Sequence, residues 1–391
     1  MTTNGNPDEA ETPRTPKQPG FTFNPFEMAF AGHSNSGKTT LITRLIESFS
    51  TTRRVGYVKH DAHRFNMDQP GKDTHRAAAS GADRVFISNE DRAAHLFAGA
   101  IDSYQRPRLM LDMDLVFVEG YKATAISKIV VIDEGEEIIE GVHDRSITGI
   151  AAFAGQTAQP PASLRNRREP YFNRDDIDGI RGFIDVEFGR LTERRGLTGL
   201  VLTGGHSMRM QRDKATLLFE GKTQVERAYE LLARFCTPVY VSNRKEQEVD
   251  AGQIGRRQIH DVFLGFGPMG GILSAMSTLP AMAWLVLACD LPLVDEATVA
   301  HLLKHRNPFR MATAYSSVND GFPEPLCAVY EPKAVFQLLH FLGLGYRCPR
   351  KVLINSPIEL LAQPNETALL NVNHPEEYEQ AKRLLAGTAA E

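Results

Sequence analysis

The chain is 391 residues long, 42% hydrophobic and 24% charged, with a formal net charge of −4. That length predicts two or three domains, each able to bury a core. The mild negative charge excludes a general nucleic-acid-binding surface, and no apolar run reaches the roughly 18 residues of a membrane span.

Residues 1–20 are polar, hold four prolines and lack the apolar stretch of a signal peptide, so they read as a disordered leader. Short apolar runs then alternate with helical patterns. Residues 26–32, 54–60, 83–88, 114–120 and 128–133 read as strands and 38–49 as a helix. The alternation predicts a mostly parallel sheet with helices on both faces. Residues 155–174, rich in Pro, Arg and Asn, read as a loop, and 174–188 as a closing helix. The charged run 189–196 reads as a linker. Beyond it the pattern restarts, with a strand at 197–205, a helix at 223–235, a strand at 238–243, a helix at 270–279 and a strand at 283–290. No internal repeat relates the halves. The expected architecture is two tandem three-layer α/β domains, a P-loop NTPase-like domain over 21–188 and a Rossmann-like nucleotidyltransferase domain over 197–391. Cys236, Cys289, Cys327 and Cys348 have neither zinc-ribbon nor redox-pair spacing, which predicts reduced thiols in a cytoplasmic protein.

Gly32, Gly37, Lys38 and Thr39 satisfy G-x-x-x-x-G-K-[ST] between a strand and a helix, with Asn35, Ser36 and Thr40 completing the loop. Glycines let backbone N–H groups turn toward a β-phosphate, and the helix N-terminus adds partial positive charge. Lys38 is expected to bridge the β- and γ-phosphates and Thr39 to offer its hydroxyl to Mg²⁺. Asp61 and Glu119 follow strand ends, where each either serves a magnesium-bound water or nucleophile or simply caps the next turn. His60, His63 and His75 lack supporting ligand spacing and read as part of a polar loop. No second cation stands in register as an arginine finger, so hydrolysis is expected to be slow.

The second half opens on another glycine loop, formed by Leu202, Thr203, Gly204 and Gly205, with Ser207, Arg209, Met210, Asp213 and Lys214 following in order. Arg209 and Lys214 can neutralise an α-phosphate and departing pyrophosphate. Asp290 ends a fully apolar run, where a carboxylate is costly to bury unless it meets a cation. Asp261 ends another expected strand, as a second ligand, a base contact or a helix cap. Gly267, Pro268 and Gly270 belong to a tight loop suited to a flat base. Together these residues describe a nucleotidyltransferase.

"GHSNSGKTTL", "VGYVKHDAH", "QPGKDTHRAAASGA", "DLVFVEGYK" and "DDIDGI" together resemble the P-loop GTP-binding accessory protein of molybdopterin-guanine dinucleotide biosynthesis, over about residues 25–188. The resemblance implies GTP binding with weak hydrolysis and a helper role. Residues 197–388 resemble the molybdenum cofactor guanylyltransferase. That likeness implies that Leu202, Thr203 and Gly204 form the nucleotide loop and that Lys214 is the phosphate lysine. It places Asn243, Asp261 and Asp290 on the nucleotide, with Asp290 also on Mg²⁺, and Gly267, Pro268, Gly270 and Gly271 as further matches. "NVNHPEEY" carries Asn371 and Asn373, expected on the pterin side. Thr203 and Gly270 stand where alanine is usual or frequent, and Gln211 where glycine is usual.

The implied reaction transfers GMP from GTP to Mo-molybdopterin, giving the dinucleotide cofactor and pyrophosphate. Implied partners are molybdopterin-inserting and molybdoenzyme proteins and a second copy through the P-loop domain, with no nucleic acid and no membrane. One alternative is cytidylyl transfer to the same pterin, although those enzymes carry "LAAG" where this chain has "LTGG". Another is a non-catalytic GTP-binding carrier, against which Lys214 with Asp290 argues.

Overall fold

The computed structural model describes residues 24–60, 67–99, 105–203, 218–219, 221–243, 255–372 and 375–388. The chain divides into two compact units, one running to residue 180 without 112–114, the other comprising 112–114 and everything from 181 onward.

The first unit begins with β1 (Glu27–Ala31), α1 (Lys38–Ser50) and β2 (Val55–Lys59), as expected. There follow α2 (Asp73–Ala79), β3 (Arg84–Ser88), β4 (Ala93–Phe97), α3 (Arg106–Met110), β5 (Leu115–Glu119) and β6 (Lys128–Val131). The set closes with α4 (Ile138–His143), β7 (Ile150–Gly155) and β8 (Tyr171–Asn173), and α5 (Ile177–Arg195) begins in this unit and continues into the second. The main sheet has the order β2-β5-β1-β6-β7-β8 and every pairing is parallel. β5 and β6 are buried at every position, as strands covered on both faces must be. Helix α1 buries Leu41, Ile42, Leu45 and Phe49 along one stripe.

Three expectations need correction. β3 is a strand, but it pairs only with β4, in an antiparallel hairpin outside the main sheet. Its residues include exposed Phe86 and Ile87, and the Asn89 side chain closes the turn by accepting from the N–H groups of Asp91 and Arg92. The segment 155–174 is not all loop, since β8 and the short 3₁₀ turn Ala162–Leu164 lie within it. The expected linker at 189–196 is helical through Arg195. Leu, Glu and Arg are good helix formers, and Gly189 alone, worth about 1 kcal/mol, does not stop the helix. Gly196, at φ +72°, ends it.

The core of the first unit also holds Lys128, whose side chain donates to the carbonyls of Thr124 and, at 2.7 Å, Ile126. Burial drops its pKa to about 8, against a raising contribution from Glu27.

The second unit runs through β9 (Leu197–Leu202), β10 (Leu218–Phe219), β11 (Lys222–Thr223), α6 (Gln224–Ala233), β12 (Val239–Asn243), β13 (Gln258–His260), α7 (Pro268–Thr278) and β14 (Ala283–Ala288). It continues with α8 (Glu296–Lys304), β15 (Ala312–Ser316), β16 (Pro323–Tyr330), α9 (Ala334–Gly343), α10 (Pro349–Ile354), β17 (Glu359–Leu361) and α11 (Pro375–Thr388). Thr223 and Glu226 cap α6 reciprocally, each side chain bonding the other's backbone N–H. The sheet order is β13-β12-β9-β14-β16-β15-β17. β9 is parallel to β12 and β14, whereas β16 runs against both β14 and β15, so this sheet is mixed. Trp284, Tyr315 and Tyr330 fill its core.

Candidate functional site

In the first unit the loop between β1 and α1 sits at the carboxyl edge of a central strand, where open α/β sheets hold ligands. Asn35 and Gly37 adopt left-handed backbone, at φ 63° and 87°. A Cβ on Gly32 would stand 2.6 Å from Ser36 Oγ and 2.8 Å from the Val131 carbonyl, so this glycine is sterically required. Lys38 Nζ donates to the His33 carbonyl at 2.5 Å and approaches Ser36 Oγ at 3.5 Å, so the ammonium curls over the loop. Burial lowers the Lys38 pKa, Lys122 and Lys59 add to this, and Glu119 opposes it. Thr40 is exposed on the first turn of α1.

Glu119, at the end of β5, is buried and heavily engaged. Thr39 Oγ1 lies 3.0 Å from its Oε2, the Tyr57 hydroxyl donates to Oε2 at 2.6 Å, and Lys59 Nζ stands 3.5 Å from Oε1. Burial, and then the bond to Glu119, push the Tyr57 phenol up, keeping it a donor. A hydroxyl beside a buried carboxylate is the hard-oxygen pairing that suits Mg²⁺, which takes one or two carboxylates and completes its shell with phosphates and water. Among the described residues no group of three or more His, Cys, Asp or Glu forms a metal centre, and the His60 ring lies against Tyr121. Asp61 and His63 lie outside the described residues.

One loop contact escaped the sequence reading, which found no second cation in register. Arg174, between β8 and α5, donates through Nη1 to the Ser36 carbonyl at 3.1 Å. Its neighbour Asp175 pairs with Arg44 of α1 at 2.6 Å. The only textual hint was its place immediately before "DDIDGI".

The second unit gathers its expected residues at one edge of its sheet. Leu202, Thr203, Asn243, Asp261, Gly267, Pro268 and Asp290 line a single cleft, joined by Ser242, Phe263 and Gly271. The carboxyl ends of β9, β12 and β14 and the start of α7 bring them together. Thr203, in the place of the usual alanine, uses its hydroxyl to donate to the Ser242 carbonyl at 2.7 Å. Ser242 Oγ donates to Asp261 Oδ1 at 2.6 Å, and the Asp261 N–H donates to the Asn243 carbonyl at 2.8 Å. Asn243 is itself tied to β13, its amide donating to Gln258 Oε1 at 3.0 Å and its Oδ1 lying 2.9 Å from His260 Nδ1.

Two glycines let α7 approach closely. A Cβ on Gly271 would stand 2.6 Å from Ser242 Oγ, and one on Gly270 would run into the Phe263 carbonyl. Gly270 does not line the cleft but sets the path of the segment that does. Gly267, with φ 55° and ψ −140°, precedes Pro268 at the first position of α7.

Asn371 lines a neighbouring cleft with Ser317, Asp320, Glu324, Leu326 and Arg350, and Leu326 lines both clefts. Arg350 bridges Asp320 at 3.1 Å and Glu324 at 2.7 Å. The Val372 N–H donates to the Asp290 carbonyl at 3.0 Å, fixing the Asn371 segment beside the first cleft. Gly204, Gly205, Arg209, Gln211, Lys214 and Asn373 lie outside the described residues.

Comparison with known families follows the same division. "Molybdopterin guanine dinucleotide synthesis protein B" matches residues 28–154, and "MobA-like NTP transferase domain" matches residues 199–360. A probable molybdenum cofactor guanylyltransferase of Opitutus terrae is 31% identical over 197 residues, 48% of this chain and 95% of that protein. The molybdopterin-guanine dinucleotide biosynthesis adapter protein of Escherichia coli is 33% identical over 138 residues, 32% of this chain and 77% of that protein. The chain belongs to both families, MobB and MobA-like NTP transferase. A molybdenum cofactor biosynthesis bifunctional protein of Synechocystis is 36% identical over 215 residues, spanning 53% of this chain and 62% of that protein. The loop holding Lys38 thus belongs to the MobB unit, and the cleft at Asp290 to the MobA-like unit.

Proposed function

We propose that the MobA-like unit transfers GMP from GTP to Mo-molybdopterin, releasing pyrophosphate, and that the MobB unit binds GTP as a helper. The observation that carries this reading is the single cleft in which Asn243, Asp261 and Asp290 converge from separate strand ends beside Gly267 at the start of α7. Ser242 holds Asp261 in place, and the bare start of α7 leaves room for a flat base. Arg209 and Lys214 bring positive charge to the α-phosphate and to the departing pyrophosphate. Mg²⁺, when bound, neutralises phosphate charge at Asp290 in the second unit and beside Thr39 and Glu119 in the first. The adjoining cleft with Asn371 and Arg350 takes the pterin substrate, so the acceptor phosphate meets the nucleotide near Leu326.

The finer elements of the reading follow from the same features. The apolar Phe86 and Ile87 on the β3–β4 hairpin suit pairing with a second copy through the MobB unit. No helix among the described residues is long and apolar enough to cross a membrane. The four cysteines are free, and free thiols suit a reducing compartment such as the cytoplasm. The product passes to molybdopterin-inserting proteins and molybdoenzymes.

The test incubates the purified chain with molybdenum-loaded molybdopterin, Mg²⁺ and either GTP or CTP, following pyrophosphate. Release with GTP and not CTP is expected, and Asp290→Ala should abolish it while leaving the melting temperature intact. Release with CTP alone reassigns the base, and none with either nucleotide leaves a carrier.

A further inference from the structure

The carboxyl edge of the first unit's sheet extends beyond the phosphate loop. β6, β7 and β8 lie in that order to one side of β1, so the end of β7 stands about 10 Å from that of β1. There a cleft of about 420 Å³ opens, walled by Ile132, Asp133, Glu134, Gln156, Thr157 and Tyr171. Asp133 is within electrostatic reach of His33 and Lys38, so cleft and loop are neighbours. A triphosphate seated in the loop must send its base to one side, and this is a side with room for it.

The lining has a definite chemistry. Asp133 Oδ2 accepts from the Glu137 N–H at 3.0 Å and Oδ1 from the Ile138 N–H at 3.1 Å. Burial pushes this carboxyl up, but those backbone donors and His33 bring it below its ordinary value, so it stays an anion. The Tyr171 hydroxyl donates to the Thr157 carbonyl at 3.0 Å and lies 2.9 Å from Thr157 Oγ1. A Cβ on Gly155 would run into that hydroxyl, so the phenol lies directly against the bare end of β7. The Tyr171 phenol and the apolar Ile132 and Pro160 supply wall surface suited to a flat heterocycle.

We propose that this cleft is the nucleobase subsite of the first unit and that it selects guanine. Asp133 accepts from the two adjacent N–H donors on the guanine edge, and the Gln156 amide donates to the neighbouring carbonyl oxygen. Adenine presents a lone pair where guanine presents a ring N–H, so it meets the carboxylate with repulsion. The assignment rests on the reading of the Lys38 loop as a nucleotide site.

The experiment is calorimetric titration of the full chain with GTP, ITP and ATP, taking as the site in question the one lost in Lys38→Ala. Asp133→Asn keeps one of the two backbone bonds at the start of α4, because the amide has a single accepting oxygen, and unchanged ATP binding shows that the phosphate loop is intact. That variant should weaken GTP binding at this site about tenfold or more and erase its preference over ITP, which lacks the exocyclic amine. ATP should be unaffected. Gln156→Ala, at an exposed position, should weaken GTP and ITP together and spare ATP. Unchanged affinities for all three nucleotides in both variants overturn the subsite and leave the phosphate loop standing. Identical titrations of Lys38→Ala and wild type overturn the loop reading instead.

Discussion

Gly270 is a position at which a single methyl group decides geometry. The family often carries alanine there, yet in this chain the added Cβ would strike the Phe263 carbonyl. Overpacking against backbone costs about 1–3 kcal/mol. Gly270→Ala should therefore lower the melting temperature and, by displacing the Asp261–Phe263 segment, raise the KM for GTP more than it lowers kcat. An unchanged KM would show that this segment shifts freely. Lys128 offers a pH test. Its folded pKa, about 8, lies below its unfolded value near 10.5, so the unfolded chain binds more protons between those limits. Its unfavourable burial is fully felt below pH 8 and relieved as pH rises toward 10.5. Lys128→Met should thus gain stability over wild type at pH 7, with the gap in melting temperature narrowing by pH 10; a constant gap refutes the assignment.

At the scale of elements, β1 and α1 were legible because a continuous apolar run, a glycine-lysine loop and an amphipathic stripe all point the same way. Asn243, Asp261 and Asp290 were legible one at a time, since each follows or ends a strand, while the Ser242–Asp261 bond that ties the cleft together leaves no mark in the text. β3 was misplaced because an apolar run reports burial or pairing without naming the partner strand. The continuation of α5 was hidden because charged residues that form good helices also populate linkers. β8 is only three residues long, and its consequence lies in delivering Arg174 to a loop 138 residues earlier. A hydrogen bond from a charged donor contributes about 1.5–3 kcal/mol. Arg174→Ala should weaken GTP binding at the Lys38-dependent site about tenfold, with partial recovery in Arg174→Lys, measured by the same calorimetry. Equal affinity in all three proteins would reduce Arg174 to surface packing.

At the scale of the molecule, each unit builds its site along the carboxyl edge of its own parallel strands. The second sheet adds one reversal. Because β16 runs against β14 and β15, the β15–β16 connection, with Ser317, Asp320 and Glu324 in and beside it, returns to the edge that carries Asp290. Two mouths therefore open side by side on one rim, sharing Leu326. That arrangement has a kinetic meaning. On the proposed function, donor and acceptor are held at once, so the guanylyl group passes directly between them without first resting on a side chain. Initial rates measured over a grid of GTP and molybdopterin concentrations should give double-reciprocal lines that intersect. Parallel lines, the signature of a ping-pong enzyme, would mean that the two mouths are used in turn.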